Sequence, residues 1–392
     1  MRWQTVPLGD VVELRAGVTF PPALQGRIAG QYPFAKVGDI AEASRTGGEM
    51  VAARNYVEDA DLQALRAKPL PARSTLFAKI GESLRLNARA YTLVPVLIDN
   101  NAMAAVPGKQ VEPRYVFRFL QSIDLGSIAS ATSVPSLRKS DLIKWPIPLP
   151  PLPEQRRIAA ILDEADALRV RAGGVLSLQA ELAEASFRRL EMSLSGVTVP
   201  LGEIAEVSSG ITKGRRAPTE PLTSTPYMTV ANVQDRRLDL GTVKTIDVSA
   251  RERDRYRLVK GDLLLTEGGD PDKLGRGAVW DAELPISIHQ NHVFRVRLQS
   301  SEHSPDWLNW EVGSAYGKKY FLRAAKQTTG IATINASQLR AFPVRLPTKP
   351  AVERFLTDLR EVKRLSCEAA RRVTQLDELF ASLQHRAFRG KL

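Results

Sequence analysis

The sequence predicts an α+β protein that contains two similar mixed α/β domains and two long helices paired as a coiled coil. Two observations lead to this prediction: an internal repeat with a period near half the chain, and two helical runs with heptad spacing. At 392 residues the chain is also longer than a single hydrophobic core usually supports. The predicted boundaries are residues 1–153 and 196–350 for the domains, and 154–195 and 351–392 for the helices.

The internal repeat marks both ends of each domain. At the start, PLGDVVELRAGVT (7–19) returns as PLGEIAEVSSGIT (200–212). At the end, SDLIKWPIPLP (140–150) returns as SQLRAFPVRLP (337–347). This order predicts one fold used twice, related by a pseudo-two-fold internal repeat.

Short apolar runs bounded by Gly, Pro, Asn and Asp predict strands inside the domains, at residues 91–98, 263–266 and 292–298. Short helices are predicted at residues 114–122 and 306–319, because each follows a proline that suits a first helical turn. This combination of elements indicates mixed α/β domains.

The two helical runs carry apolar or small residues at alternating spacings of four and three. In the C-terminal run the predicted seam is Phe355, Leu359, Val362, Ser366, Ala369, Val373, Leu376, Phe380, Leu383 and Ala387. In the central run it is Ile161, Ala165, Leu168, Ala172, Val175, Gln179, Leu182 and Ser186. Gly173 and Gly174 are expected to weaken or bend the central helix, at a cost of about 1 kcal/mol each. Because each run is the natural partner of the other, the pair predicts a helical spacer.

The chain is basic, with 55 Lys and Arg against 43 Asp and Glu, which leaves a net charge of +12. Each predicted domain carries a net charge of +5, which favours a polyanionic partner such as nucleic acid. The alternative is that this charge only keeps the surface solvated. The single cysteine, Cys367, excludes an intrachain disulfide and a cysteine-rich zinc site. With no apolar run long enough to span a membrane and no signal pattern, a cytoplasmic location is predicted.

Three segments resemble the specificity (S) subunits of type I restriction-modification enzymes. They are PLPPLPEQRRIAAILDEADAL (148–168), LDELFASLQHRAFRGKL (376–392) and TEGGDPDKLGRGAVW (266–280). The resemblance implies a non-catalytic subunit with two target-recognition domains, each of which recognises one half of a split target in double-stranded DNA. It also implies that the two helices pack antiparallel and fix the distance between the half-sites.

The same resemblance implies partners. The helices would dock two methyltransferase (M) subunits, which bind S-adenosylmethionine and methylate adenine, and restriction (R) subunits that cut DNA would join them. The central motif places the docking residues at Glu154, Gln155, Arg156 and Arg157. The second copy, LPTKPAVERF, lacks the Glu-Gln pair, so docking is expected to be less symmetric than in close relatives.

Candidate phosphate contacts lie in loops that combine glycine or threonine with cations, since glycine lets backbone amides approach a phosphate and Lys or Arg neutralises it. After the repeated strand they are Thr19, Thr212, Lys213, Arg215 and Arg216. In the threonine-rich loops near the end of each domain they are Arg138, Lys139, Thr328 and Thr329. The alternatives are a hairpin with a solvated basic tip and a turn capped by threonine.

Candidate base contacts lie in a glycine-rich loop of the second domain and its counterpart in the first. They are Asp270, Lys273, Arg276 and Gln290 in the second domain, and Arg85, Asn87 and Arg89 in the first. Arg pairs well with guanine and Asn or Gln with adenine in the major groove. Each could equally be an ordinary surface residue.

Catalysis by this chain is not predicted. A methyltransferase should show a glycine-rich cofactor strand and an Asn-Pro-Pro-aromatic motif, whereas Phe20, Pro21 and Pro22 lack the leading Asn and the trailing aromatic residue. The acidic residues of the glycine-rich loop do not have the spacing of a nuclease metal site, and the histidines lack nearby cysteine ligands. We therefore expect no catalytic residue, metal or cofactor in this chain. The remaining alternative is a coiled-coil scaffold whose globular ends bind protein.

Overall fold

The computed structural model describes residues 3–129, 135–194, 196–216, 219–270, 273–328 and 331–392. The chain divides into two compact units. The first comprises Met1–Leu178 with Ser366–Leu392, and the second comprises Gln179–Leu365. Each unit therefore contains one globular segment and parts of two long helices.

The globular part of the first unit contains ten short strands and four helices among its described residues. The strands are β1 Thr5–Pro7, β2 Val12–Ala16, β3 Tyr32–Ala35, β4 Glu49–Met50, β5 Tyr56–Val57, β6 Thr75–Ala78, β7 Arg89–Thr92, β8 Leu97–Ile98, β9 Ala102–Pro107 and β10 Pro146–Pro148. The helices are α1 Val37–Arg45, α2 Asp59–Leu65, α3 Pro113–Gln121 and α4 Lys139–Leu142. The central long helix, α5, runs from Leu152 to Glu191.

The second unit continues the series. Its strands are β11 Thr198–Pro200, β12 Ala205–Ser209, β13 Thr223–Met228, β14 Val233–Gln234, β15 Arg237–Leu238, β16 Lys244–Val248, β17 Leu263–Thr266, β18 Gly268–Gly269, β19 Gly277–Val279, β20 Ile288–His289, β21 Val293–Leu298, β22 Lys326–Thr328, β23 Ile331–Thr333 and β24 Pro343–Arg345. Its helices are α6 Leu201–Ile204, α7 Ala250–Tyr256, α8 Pro305–Gly313, α9 Ala315–Ala324 and α10 Ala336–Arg340. The C-terminal long helix, α11, runs from Lys349 to Ala387.

The two units share the strand order of their two main sheets, except that the first unit adds β4 at one edge. The first has a five-stranded sheet in the order β2-β9-β6-β7-β4 and a three-stranded sheet in the order β5-β3-β8. The second has β12-β21-β17-β19 and β16-β13-β20. In both three-stranded sheets the central strand has one antiparallel and one parallel neighbour, the parallel pairs being β3 with β8 and β13 with β20. The predicted use of one fold twice is confirmed.

A two-stranded antiparallel ribbon joins the start of each globular segment to its proline-rich exit. Thr5 of β1 lies opposite Pro148 of β10, and Thr198 of β11 lies opposite Arg345 of β24. The ribbon brings the exit next to the entry, so the following long helix begins beside the domain that precedes it. These ribbons are the two repeated sequence ends found above.

Several predicted elements are confirmed, and two are interrupted. The predicted strands at 263–266 and 292–298 correspond to β17 and β21, and the predicted helix at 114–122 corresponds to α3. The strand predicted at 91–98 is broken between β7 and β8, where Pro95 cannot donate a ladder hydrogen bond. The helix predicted at 306–319 is two helices, because the Ser314 hydroxyl accepts from the Gly317 amide and starts a new one.

The seam predicted for α11 is confirmed, since all its positions are buried or half-buried. In α5 only every second residue of the predicted seam is correct: Ala165, Ala172, Gln179 and Ser186 are buried or half-buried. Leu168, Val175 and Leu182 are 37%, 45% and 55% exposed. The inward row is Ile158, Leu162, Ala165, Arg169, Ala172, Leu176, Gln179, Ala183, Ser186 and Leu190.

The long helices pair antiparallel in the first unit. Arg157, near the start of α5, donates to the Leu392 carbonyl at 3.2 Å. Arg169, three turns later, donates to Asp377 at 2.7 Å. Residues further along α5 thus meet residues earlier in the C-terminal segment.

The second unit shows the same direction. Ser186 of α5 donates to Asp358 of α11 at 2.6 Å, and Met192, just beyond α5, lines the same cleft as Ala351. The Phe187 and Phe355 rings pack with centroids 5.7 Å apart. The predicted antiparallel coiled coil is confirmed.

We expect replacement of both Gly173 and Gly174 by alanine to raise the free energy of unfolding by about 1 kcal/mol per site. The glycines do not interrupt α5, and an added Cβ at either position would meet nothing within 4 Å. The matched contrast is Gly26→Ala, where φ is +89° and a side chain is strained. Urea denaturation should therefore show opposite shifts, and a loss of stability in the helix variant would contradict an unbent α5.

Candidate nucleic-acid interface

Four loops of the first unit are joined by backbone hydrogen bonds. We name them loop A (17–19, after β2), loop B (79–88, after β6), loop C (99–101, before β9) and loop D (135–138, before α4). Val18 of loop A donates to the Ile98 carbonyl beside loop C at 3.0 Å. Lys79 of loop B donates to the Asn101 carbonyl of loop C at 2.9 Å and accepts from the Leu137 amide of loop D at 2.8 Å.

The second unit joins four loops with the same bonds. They are loop A (210–216), loop B (267–276), loop C (290–292) and loop D (331–335). Ile211 donates to the His289 carbonyl at 2.8 Å, and Glu267 donates to the His292 carbonyl at 3.0 Å. Ile334 donates to the Glu267 carbonyl at 2.9 Å. Glu267 thus occupies the position that Lys79 holds in the first unit, and each unit presents one four-loop cluster.

The repeated glycine of loop A serves this junction rather than a phosphate. A Cβ on Gly17 would lie 1.9 Å from the Asp99 carbonyl oxygen, and one on Gly210 would lie 1.9 Å from the His289 carbonyl oxygen. Only glycine allows loop C to pass so close. The sequence-based reason for these glycines is therefore replaced by a packing reason.

The predicted contacts of the first unit divide into exposed and internal residues. Thr19, Arg85, Arg138 and Lys139 are exposed. Arg89 is 1% exposed, and its guanidinium donates to the carbonyls of Leu120 and Ile123 and to Asn87.

Asn87 is likewise part of the interior network. Its amide donates to the Ile123 carbonyl at 3.1 Å and its side-chain oxygen accepts from the Leu125 amide at 3.1 Å. Burial lowers the pKa of Arg89 to about 9, so it stays cationic at neutral pH. Both residues support loop B; the buried Arg89 is inaccessible to a ligand, and the half-buried Asn87 is already bonded to residues 123 and 125.

The basic tip of loop A in the second unit consists of Lys213 and Arg216, which are exposed together with Thr212. Arg215 instead makes a two-bond ion pair with Glu252 of α7, at 2.5 and 2.7 Å. This hydrogen bonding holds the pKa of Arg215 above and that of Glu252 below its ordinary value. Arg215 therefore ties loop A to α7, and its guanidinium is less available to a phosphate than the side chains of Lys213 and Arg216.

Loop B of the second unit carries several polar groups at its surface. Asp270 is exposed and paired with Lys273, whose hydrogen bond holds the pKa of Asp270 below its usual range. Arg276 is half-buried, and its guanidinium makes two long hydrogen bonds, of 3.4 Å to the side-chain oxygen of Gln234 and 3.3 Å to the Val230 carbonyl. Gln290 is half-buried in the adjacent loop C.

Two predicted contacts cannot be placed. Thr328 ends β22, but its side chain lies outside the described residues, and so does all of Thr329. Their region is joined to the cluster by β18, which pairs with β23.

Sequence reasoning missed two groups of residues. Asn100 and Asn101 in loop C of the first unit are exposed; alignment of IDNN (98–101) with HQNH (289–292) in the repeat would have found them. Cations from three separate segments line an open cleft of about 430 Å³ beside loop A: Arg15, Arg66, Lys68 and Lys139. Only Lys139 was predicted, because no local cluster in the sequence marks the others.

The predicted docking residues at the start of α5 also divide into internal and exposed ones. Gln155 is 1% exposed and bridges the Glu112 amide and the Pro150 carbonyl, both at 2.8 Å. Its side chain fixes the start of α5, so the structure does not present it to a partner. Arg156 and Arg157 are exposed, and Arg157 makes two bonds to Glu154, which lower the pKa of Glu154.

In the part of the chain that the structure describes, no group of three or more His, Cys, Asp or Glu side chains could hold a metal ion. Across the same residues, no helix combines the length and the apolar character that crossing a membrane requires. The one histidine with a large pKa shift, His289, is fully buried and takes no part in the exposed surface of the cluster.

Comparison with known proteins finds specificity subunits of type I restriction enzymes among the similar sequences. Residues 1–171 match the family described as type I restriction modification DNA specificity domain. The StySPI specificity subunit of a type I restriction enzyme from Salmonella potsdam is 21% identical, over all of this chain and 89% of the relative. The EcoKI specificity subunit from Escherichia coli K12 is also 21% identical with the same coverage. These matches confirm the resemblance predicted from the motifs.

Solved structures show the same fold. The S subunit of a type I restriction-modification system from M. genitalium aligns with 99% of this chain and 96% of its own, with a TM-score of 0.55 and 12% identity. A structure described as the basis of complex assembly and conformational transition of the type I R-M system aligns with 100% and 98%, with a TM-score of 0.55 and 18% identity.

Proposed function

We propose that this chain, whose residues 1–171 match the family described as type I restriction modification DNA specificity domain, recognises two parts of a split DNA target and catalyses no reaction itself. The observation that carries the proposal is the repeated four-loop cluster. Each unit offers one surface on which exposed cations, hydroxyls and amides from four loops come together. Double-stranded DNA needs this combination, because cations bind phosphates while amides and guanidinium groups recognise base edges.

The proposed contacts are the predicted residues that remain available at the surface. Phosphate contacts are assigned to Thr19, Arg138, Lys139, Thr212, Lys213 and Arg216. Thr328 and Thr329 are also assigned, on the basis of the sequence alone. Base contacts are assigned to Arg85, Asp270, Lys273, Arg276 and Gln290. The cleft beside loop A supports a longer phosphate path in the first unit, because Arg66, Lys68 and Lys139 line it together with the Arg15–Glu13 ion pair.

The proposed partners are two methyltransferase subunits that bind S-adenosylmethionine, and restriction subunits. An exposed apolar row on α5 supports docking of a helical partner: Leu168 is 37%, Val175 is 45% and Leu178 is 64% exposed. Such a row on an otherwise polar face favours burial by another protein. Glu154, Arg156 and Arg157 lie on the first two turns of the same helix and remain docking residues in this proposal. The cytoplasm is the proposed location.

The salt dependence of DNA binding tests the proposal. Affinity for a random-sequence duplex should fall steeply as salt rises, because phosphate contacts release counterions. Lys213→Ala should weaken all sequences alike and lower the slope of log K against log salt by about one. Lys260→Ala is the matched control, since Lys260 pairs with Asp281 outside the cluster. An affinity for DNA that does not change with salt concentration would instead favour the alternative of a coiled-coil scaffold that binds protein.

Arg276→Ala should change base preference rather than the salt slope. Its guanidinium is held by long bonds of 3.3–3.4 Å, which a guanine edge could replace. Sequencing of methylated adenines in cells that carry the complex would compare the recognised sequence of the variant with that of the wild type. An unchanged sequence together with a lower salt slope would assign Arg276 to phosphate instead.

A further inference from the structure

The two clusters share a tight turn in loop C. In the first unit the Ala102 amide donates to the Asp99 carbonyl at 3.0 Å, and in the second the Val293 amide donates to the Gln290 carbonyl at 2.9 Å. These bonds close four-residue turns at equivalent positions. The second residue of the turn is asparagine in both, Asn100 and Asn291.

Both turns are anchored in the same way on their entry side. The Asp99 amide donates to the Ala35 carbonyl at 3.1 Å, and the Gln290 amide donates to the Met228 carbonyl at 2.9 Å. Ala35 and Met228 end the parallel-paired strands β3 and β13. Because loops A and B also bond to loop C, the turn is held from three sides, and its second residue is presented in a fixed place.

The turn itself does not require asparagine at this position. Neither residue has the positive φ that favours asparagine in turns. In the first unit the Asp99 carboxylate, not Asn100, accepts from the Asn101 amide at 3.1 Å. Asn100 is exposed and Asn291 is half-exposed. An amide kept at the same corner of both turns, without a role in forming them, points to an external partner.

We propose that Asn100 and Asn291 each contact a base edge in their own half of the target, with adenine as the preferred base. The inference rests on the proposed function. A carboxamide matches adenine in the major groove, since its oxygen accepts from N6 and its nitrogen donates to N7. Asn100 and Asn291 add to the contacts assigned above and place one equivalent base contact in each unit.

In the second unit, two residues position the Asn291 amide. Glu267 lies 2.5 Å from His292 Nδ1, which places the ring proton on Nδ1 and leaves Nε2 as an acceptor. The Asn291 nitrogen lies 3.3 Å from that Nε2. In the first unit Lys79 and Asn101 occupy the equivalent positions, so the surroundings of the two amides differ in charge and the neighbouring bases need not be the same.

Binding-site selection from a random duplex library tests the proposal, using the full-length chain with the subunits that co-purify with it. The wild type should select a two-part motif. Asn100→Ala should lose base preference at one position of one half, and Asn291→Ala at one position of the other half. Each variant should bind the wild-type site about 5- to 150-fold more weakly. Each variant is thus the control for the other.

Two further variants separate amide chemistry at the turn from general surface effects. Gln110→Ala and Gln299→Ala remove exposed amides outside the clusters, one in each unit, and should leave the selected motif unchanged. If both asparagine variants melt like the wild type and still select its motif, or weaken all sequences equally, the proposal is overturned. A wild type that selects no motif would overturn the proposed function and this assignment with it.

Discussion

Replacing Arg118 with alanine should lower the free energy of unfolding of the first unit by about 3–5 kcal/mol. Arg118 lies on α3, is 2% exposed, and donates to Asp163 and Asp166 of α5 at 2.7 Å each. Asp166 is itself 8% exposed. Removal of Arg118 leaves Asp166 paired with Arg169 and Asp163 paired with Arg114. Because Asp166 is buried, the partial loss of its compensating charge is costly.

The matched control for Arg118 is Arg171→Ala. The Arg171 side chain is 70% exposed and lies 4.0 Å from Glu164, so its loss should cost less than 1 kcal/mol. Urea denaturation, followed by hydrogen exchange of peptides from α3 and α5, measures both. The double variant Arg118→Leu with Asp166→Leu should be more stable than Arg118→Leu alone, because it removes a stranded charge. Equal costs for Arg118→Ala and Arg171→Ala would contradict a buried ion pair.

The second unit makes the equivalent contact with different chemistry. Trp310 takes the place of Arg118, five residues after the proline that starts each helix, and the guanidinium of Arg236 stacks on its ring at 3.6 Å. The charge order is also reversed. Arg114 of α3 faces Asp163 of α5, whereas Asp306 of α8 pairs with Lys363 of α11. The two repeats therefore use different side chains to pack their domain helix against the long helices.

The duplicated fold could be predicted because the residues that repeat in the sequence are glycines and prolines that the backbone conformation requires. Gly17 and Gly210 are needed where loop C passes within reach of a Cβ, and the prolines of β10 and β24 shape the exits. Such positions tolerate few substitutions. They stay recognisable when the surface residues between them differ.

The phase of α5 could not be predicted from its own sequence. Leu168, Val175 and Leu182 look like seam residues, yet Arg169, Leu176 and Ala183 face inward in their place. A helix with apolar side chains on two faces does not specify which face is buried by its own chain. That choice depends on α11 and on the adjoining domain, and the second apolar face stays exposed.

The internal roles of polar loop residues could not be predicted either. Arg89, Arg215 and Gln155 have the chemistry of binding residues, but each is used by acceptors or donors that are distant in the sequence. A single sequence shows which side chains can form hydrogen bonds, but it does not show which distant residues they bond to in the fold. The exposed members of the clusters, such as Lys213 and Arg216, were predicted because local charge alone places them in solvent.

Acidification should destabilise the second unit through His289 by about 2.5 kcal/mol between pH 7.5 and 4.5. His289 is fully buried at the end of β20. Its Nδ1 lies 2.7 Å from the Val293 carbonyl oxygen, so Nδ1 carries the proton. Its Nε2 is buried with no hydrogen-bond partner. Burial lowers the pKa of His289 from its ordinary 6.5 to about 4.

The sign of the effect follows from which state binds the proton. Above pH 6.5 the imidazole is neutral in both the folded and the unfolded chain, so its contribution to stability is constant. Between pH 6.5 and 4 the unfolded chain binds a proton that the folded chain excludes, and the free energy of unfolding falls by up to about 1.4 kcal/mol per pH unit. Below pH 4 both states are protonated and the loss is complete.

Comparison with His289→Gln isolates this contribution, because the difference between the two proteins cancels the titration of other groups. Urea midpoints at pH 7.5, 6.5, 5.5 and 4.5 should show the wild type losing stability faster than the variant below pH 6.5. The free energy of unfolding of the variant at pH 7.5 is lower if glutamine fails to reach the Val293 carbonyl. The test is the change of this free energy with pH, not its value at pH 7.5. His289→Phe provides the same comparison without a donor. Parallel slopes for wild type and both variants would contradict a neutral, buried His289.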